Sequence, residues 1–333
     1  MISISLVSYN SLSVTLDAIS SALYWLNQSG LQYEFIVIDN ASSEKNAEII
    51  RTRYPSVTVI ELSENIGFAR AHNVAINYSK GEIIVIMNSD IIVVNNVFSN
   101  IARLFKEDPD LSAIGPLTED LSGIPSPTSR EKIFYSLFST GLSVFNSIFP
   151  IIARDKAASI PSLLRKTVFS AHESVFPSYR SREVEWVDGM FVAFSRRHLE
   201  LVGLFDSFYF FDHEIGDLML RLSEVNGKIY YDSNSRVKHL GGYSRKKNPK
   251  IIHASLIGYI HYLYNNRRHY FLYVSVEIVA LAFAKILLSW FYRKPKDVKL
   301  WKKILLDTFH YMKYPVESRF TIRKLDGDKN ESI

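Results

Sequence analysis

The sequence predicts an α/β fold on a mostly parallel central sheet, with a helical appendage at its C-terminal end. Three observations carry this. Up to residue 116, short apolar runs alternate with segments of helical spacing. The runs at 35–38 and 83–87 are continuously apolar, as strands covered by helices on both faces require. The composition, 47% hydrophobic and 22% charged with 14 Gly and 11 Pro, can bury a core and excludes disordered or collagen-like chains.

The elements follow in order. Residues 2–7 read as a strand, 13–27 as a helix on its Leu and Ile spacing, and 33–38 as a strand ending at Asp39. Ser42, Ser43 and Glu44 open a helix reaching about Arg53. A strand at 57–62, a helix at 68–78, a strand at 82–87, a helix at 97–106 and a short strand at 112–116 complete the alternation. Residues 118–180 are rich in Ser, Pro and Phe, and 133–152 carry no charge. Their Ser, Thr, Asn and Gly content suits a buried or interfacial helix pair better than a membrane span. Mixed α/β character returns over 184–240, and 271–291 is helical, interrupted in its apolar character by Glu277 and Lys285.

In such sheets ligands sit beyond the carboxyl ends of the strands. Ser8-Tyr9-Asn10, Asp39-Asn40 and Asn88-Ser89-Asp90 stand there. Neither Gly-x-Gly-x-x-Gly nor Gly-x-x-x-x-Gly-Lys-Ser/Thr is present, so both common Gly-rich phosphate cradles are excluded. A nucleotidyltransferase would also want a Gly/Arg/Lys-rich triphosphate loop near the N-terminus, and residues 8–16 supply none. With no cysteine, disulfide scaffolds, thiol nucleophiles and iron–sulfur sites are excluded, and any metal must take O and N ligands.

Three constellations bear chemistry. Asp90 is either a Mg²⁺ or Mn²⁺ ligand shared with substrate phosphates or a turn cap. The run from Phe205 to Arg221 holds Asp206, Asp212, Glu214 and Asp217 among five aromatics. Its acids either open the following helix, where the dipole favours negative charge, or include a general base. His239, before Gly241-Gly242, is either structural or completes a metal site with Asp90.

Together these segments resemble family 2 glycosyltransferases of the A-type, Rossmann-like fold, and in particular rhamnosyltransferase-like bacterial enzymes of surface polysaccharide synthesis. The matching stretches are Val7-Ser8-Tyr9-Asn10, residues 37–43, residues 65–73, Met87-Asn88-Ser89-Asp90, residues 184–189, the acid-rich run and the His239 segment. The resemblance covers about residues 1–245. It implies inverting transfer from a nucleoside-diphosphate sugar with Mg²⁺ or Mn²⁺. Ser8, Tyr9, Asn10, Asp39, Asn65, Gly67, Asn73, Asn88 and Ser89 would form the nucleotide side. Asp90 and His239 would hold the metal, and Trp186, Asp188 and Gly189 would line the acceptor side. Catalysis would fall to Glu214, Asp212 and Asp217. The family pattern Glu-Asp-x-Asp-Leu becomes Glu214-Ile215-Gly216-Asp217-Leu218 here, which puts Ile215 where the base is usually credited. Glu214 is therefore the expected base and Asp212 the second choice. By the same resemblance, residues 1–117 would be the nucleotide-sugar half and 118–245 the acceptor and catalytic half. Residues 246–333 would form a separate basic helical region.

Fourteen Lys/Arg against seven Asp/Glu lie after residue 260, which leaves the first 260 residues at −2 within a total of +5. That asymmetry points to an anionic surface. Glu277 and Lys285 would each cost ~2.5–3.5 kcal/mol at the centre of a span. An interfacial helix is expected instead, with Trp290, Tyr292 and Trp301 at headgroup level and the cations on anionic lipid. Packing on the catalytic domain or a homodimer interface are the alternatives. The N-terminus opens straight into a strand, without the basic region or cleavage site of a signal peptide. The expected setting is peripheral, on the cytoplasmic face of the inner membrane, with a lipid-linked glycan such as O-antigen as acceptor and no nucleic acid as partner. The expected donor is dTDP-rhamnose. A UDP-hexose or UDP-N-acetylhexosamine donor, or a non-catalytic membrane scaffold, is the alternative.

Overall fold

A computed structural model describes residues 1–43, 45–125, 129–130, 180–241 and 249–316. The uncharged stretch 133–152, Glu44 and Gly242 lie outside the described residues. Strands β1 (Ile2–Ser8), β2 (Tyr33–Asp39), β3 (Thr58–Glu61) and β4 (Ile83–Asn88) alternate with helices α1 (Leu12–Ser29), α2 (Asn46–Arg53) and α3 (Phe68–Tyr78). Then come β5 (Ile91–Val93), α4 (Val97–Glu107), β6 (Leu111–Glu119) and β7 (Ser129–Arg130). Beyond residue 180 follow β8 (Arg182–Val184), β9 (Trp186–Val187), β10 (Phe191–Ser195), α5 (Arg196–Val202), α6 (Glu214–Glu224) and β11 (Lys228–His239). Three helices close the described chain: α7 (Pro249–Asn266), α8 (Arg268–Phe291) and α9 (Pro295–Lys313).

Among the described residues the main sheet runs β3-β2-β1-β4-β10-β6-β11-β5, with β8 on β11. The β1–β4 group is parallel, as the continuous apolar runs predict. Two departures appear. β10 inserts antiparallel between β4 and β6, and β5 pairs antiparallel with β11. Neither is visible in a three-residue or five-residue apolar run, because direction is set by the partner and not by the strand's own residues. The short strand expected at 112–116 extends over Leu111–Glu119, every residue of it buried.

Alternation in β1 divides its faces. Ile2, Ile4 and Leu6 join α1 and α4 in one core layer, each contributing about 1.5–3 kcal/mol by burial. Ser3 and Ser5 face the other way and are satisfied by Glu34 and by His72 Nδ1, the latter at 2.7 Å. His72 is fully buried, and desolvation pulls its pKa down to about 3, so it is neutral at physiological pH.

Helices α7, α8 and α9 pack on one another, and α7 packs on α6. Val274, Ile278, Leu281 and Ala282 of α8 are buried, while Leu272, Val276, Phe283, Leu287 and Trp290 are exposed. Tyr270–Phe291 is long and apolar enough to cross a membrane, and 28% of its most apolar window is buried.

Candidate active site

Register places the site. Ser8 pairs with Asp39, Val7 with Asn88, and Asp39 with Glu61, so the carboxyl ends of β1, β2 and β4 form one edge. The loops leaving that edge are cross-tied. Asn10, with φ of 51°, accepts from the Ser43 amide at 2.8 Å and the Ser43 hydroxyl at 2.9 Å. The Asn10 amide donates to Ser42 Oγ at 3.0 Å. Asp39 is buried and accepts from the Ser42 amide at 3.1 Å. Tyr9 projects from the same loop and is exposed. Ser89 accepts from Ser11 at 3.2 Å, which links the β4 loop to the start of α1.

Asn40 organises the next loop. Its side chain donates to Asn65 Oδ1 at 3.1 Å and accepts from the Ile66 amide at 3.0 Å. Asn65 Oδ1 also accepts from the Gly67 amide at 3.0 Å. Gly67 has φ of 87°, and a Cβ there would collide with the backbone of Phe210. Only glycine fits, and the Phe68 amide then donates to the Phe210 carbonyl at 2.8 Å. Asn73 donates to the Phe205 carbonyl at 2.7 Å and accepts from the Phe205 amide at 3.1 Å. Arg70 Nε donates to the Ser207 carbonyl at 2.6 Å. In this structure Asn73 therefore spends both halves of its amide on holding the acid-rich run.

Asp90 and His239 meet because β11 pairs with β5, His239 opposite Ile91. His239 Nε2 lies 3.2 Å from Asp90 Oδ2, and the Leu240 amide donates to the Asp90 carbonyl at 2.9 Å. Asp90 is 3% exposed, and its Oδ1 is buried without a hydrogen bond. A buried carboxylate oxygen left unpaired is costly unless a cation takes it. The pair thus fits a divalent ion, which would draw its further ligands from phosphate oxygens. Among the described residues no group of three or more His, Asp or Glu is gathered to hold a metal by protein ligands alone.

The third wall comes from residues 188–190. The Asn88 amide donates to the Met190 carbonyl at 2.9 Å, and Asp188 Oδ1 accepts from the Met190 amide at 3.2 Å. A Cβ at Gly189 would run into the side chain of Ile215. Ile215, the departure from the family pattern, is thus a buried packing residue. Trp186 lies in β9, half-buried.

The acids of the run have different surroundings. Asp212 and His213 both adopt left-handed backbone, φ of 68° and 71°, immediately before α6. Two consecutive non-glycine residues in that region store of order 1–2 kcal/mol each, the kind of strain that gathers at functional sites. Glu214 is buried at the first turn of α6. Asp217 is committed elsewhere. Its Oδ2 accepts from Arg221 at 2.8 and 2.9 Å and its Oδ1 from Asn266 at 3.1 Å. Arg221 in turn donates to the carbonyls of Val202, Gly203 and Leu204. Asp217 is 1% exposed and ties α6 to α5 and α7.

His261 escaped the sequence reading. It is 1% exposed, 2.9 Å from Asp206 Oδ2 and 2.7 Å from the Tyr311 hydroxyl, with Phe208 stacked at 3.8 Å. A single His on an apolar helix gives no signal when its partners stand 50 and 55 residues away.

The topology and strand-edge site define the class first: this is the A-type glycosyltransferase fold. The comparisons agree. Residues 3–157 match the model for Glycosyl transferase family 2. A crystal structure of GalNAc-T7 with UDP, GalNAc and Mn²⁺ superposes with a TM-score of 0.60 at 15% identity, over 95% of this chain and 57% of that one. The chain therefore spans little more than half the length of that protein. The mannosyltransferase PcManGT from Pyrobaculum calidifontis, in complex with GDP-Man and Mn²⁺, superposes at 0.50 with 14% identity, over 94% of this chain and 87% of that one. No curated protein matches the chain in sequence.

Proposed function

We propose that this chain transfers a sugar from a nucleoside diphosphate to an acceptor hydroxyl, with inversion. The observation that carries the reading is the Asp90–His239 pair at the β4 edge, with Asp90 Oδ1 buried and unbonded. Both solved neighbours hold Mn²⁺ with a nucleotide or nucleotide sugar. In this chain Asp90 and His239 would hold Mn²⁺ or Mg²⁺ against the diphosphate, where the ion supplies Lewis-acid neutralisation of the leaving group. The cross-tied loops at Tyr9–Asn10 and Asp39 would flank the base and ribose. Glu214, or Asp212 beside it, takes the proton from the acceptor hydroxyl. The acceptor oxygen bonds to the anomeric carbon as the bond from that carbon to the diphosphate breaks, and the nucleoside diphosphate leaves. Asp217 positions α6 rather than taking the proton, because Arg221 and Asn266 occupy its oxygens.

Within that class, dTDP-rhamnose as donor, before UDP-hexoses and UDP-N-acetylhexosamines, rests on the motif resemblance. So do a lipid-linked acceptor of the O-antigen kind and a place on the cytoplasmic face of the inner membrane. Peripheral binding is supported by the exposed apolar residues of α8 and the cations that follow them.

Calorimetric titration with dTDP, UDP and GDP, each with and without Mn²⁺ or Mg²⁺, tests the reading. Metal-dependent binding of one nucleotide, lost in Asp90→Ala, is the expected result. No binding of any of them with either metal overturns the donor site.

A further inference from the structure

We infer that a cleft between residues 208–210 and helices α7 and α9 binds the diphosphate and first hydrocarbon units of a lipid-linked acceptor. The role assigned to it rests on the transferase reading above. The chemistry of the cleft does not.

The cleft has a volume of about 660 Å³, within the range of small-molecule sites. Two helices line it with the same spacing. Helix α7 presents Lys250, His253, Ala254 and Ile257, at i, i+3, i+4 and i+7. Helix α9 presents Lys296, Lys299, Leu300 and Lys303, again at i, i+3, i+4 and i+7. Each stripe covers one helix face, so the two faces meet with lysines on both. Phe208 and Phe210 close the third side.

Four lysines line this space. His253 bonds to Asp307 at 2.6 Å, which engages the acid next to it on α9. A rim of lysines on two facing helices gives the cleft a positive potential that favours a multiply charged anion. Lysine meets phosphate as a point charge. A bare phosphate, however, has no use for Phe208, Phe210, Ala254, Ile257 and Leu300. A cationic rim on an apolar floor is complementary to an amphiphile, a phosphorylated head joined to hydrocarbon.

Two further observations select a lipid diphosphate. Trp290, Phe291 and Tyr292 end α8 at 75%, 72% and 54% exposure, and Lys296 follows closely in the chain. Exposed aromatics beside cations suit the boundary between headgroups and acyl chains. The cleft wall also belongs to the acid-rich run, since Phe210 stands two residues before Asp212. A head bound there holds the attached sugar next to the residues that would take its proton.

The test is binding of farnesyl diphosphate to the full chain, beside farnesol and inorganic diphosphate. The protein is compared with Lys296→Ala/Lys299→Ala/Lys303→Ala, three exposed positions. Farnesyl diphosphate is expected to bind about tenfold or more tighter than either half. The triple variant should weaken it by about tenfold or more and leave metal-dependent nucleotide binding unchanged. Equal affinity for inorganic and farnesyl diphosphate, or wild-type affinity in the triple variant, overturns the inference. It is also overturned if farnesyl diphosphate fails while phosphatidylglycerol vesicles bind through the same lysines, for then the face is a general membrane contact. Nucleotide binding without farnesyl diphosphate binding removes this inference and leaves the transferase reading. The reverse removes the transferase reading and leaves a lipid-diphosphate site.

Discussion

The two sides of the site are held together in different ways. At the strand-end edge, Ser8 is tied to Thr15 of α1, and Asn10, Asp39 and Asn65 are fixed by short bonds within and between the loops. On the acid-rich side, the run 205–217 is suspended between distant elements. Arg70 and Asn73 of α3 hold its backbone from one side. From the other, His261 of the helical appendage, itself bonded to Tyr311, holds Asp206, and Asn266 holds Asp217. The appendage therefore shares a hydrophobic core with the acid-rich run, including Tyr209, Leu218, Tyr262 and Tyr311. A donor edge can be rigid on local terms, whereas the acid-rich run keeps its shape only while the appendage stays docked.

The largest effect should come from the base. Glu214→Gln is expected to lower turnover by roughly 10²–10⁴-fold with nucleotide binding intact, measured by release of nucleoside diphosphate. If Asp212→Asn produces that loss and Glu214→Gln does not, the base is Asp212. If neither does, the acid-rich side carries no proton transfer.

Next in size is the link to the appendage. His261→Ala removes one buried partner from Asp206, which keeps the Phe208 amide, and one from the Tyr311 hydroxyl, which keeps the Val316 carbonyl, at a cost of about 1–3 kcal/mol. Chemical denaturation reads this directly. A loss below ~1 kcal/mol would mean that the contrast between the two sides is one of geometry only.

The effect that vanishes near neutral pH, and appears only on acidification, concerns His72, which joins α3 to β1. Its folded pKa, about 3, lies below the unfolded value of 6.5, so the unfolded chain binds the extra proton between those values. Stability from this residue is complete above pH 6.5 and falls by about 1.4 kcal/mol per pH unit as pH drops toward 3. His72→Gln should flatten that part of the curve of melting temperature against pH. An unchanged slope would assign the acid sensitivity to other groups.

Much of the donor side was legible in the residues. The strand-end motifs at 8–10, 39–40 and 88–90 converge because a parallel sheet aligns its carboxyl ends, and apolar runs announce such a sheet. The acid-rich side was legible as composition and not as geometry. Asp212, Glu214 and Asp217 look alike in one dimension. Their difference comes from Arg221, Asn266 and Gly189, two of which lie far off in the chain.

The chain itself determined the alternating α/β class, the strand-end positions and the basic, apolar character of its last helices. Hydrophobic period and residue type are local properties, and they specify which segments form strands and helices and which faces must be covered. Tertiary structure alone decided three other things. It inserted β10 antiparallel into the sheet, set His239 beside Asp90 through the pairing of β11 with β5, and docked α7–α9 so that His261 and Asn266 hold the acid-rich run. Each of these depends on which distant segment supplies the partner, and burial and hydrogen-bond satisfaction across the whole chain settle that choice.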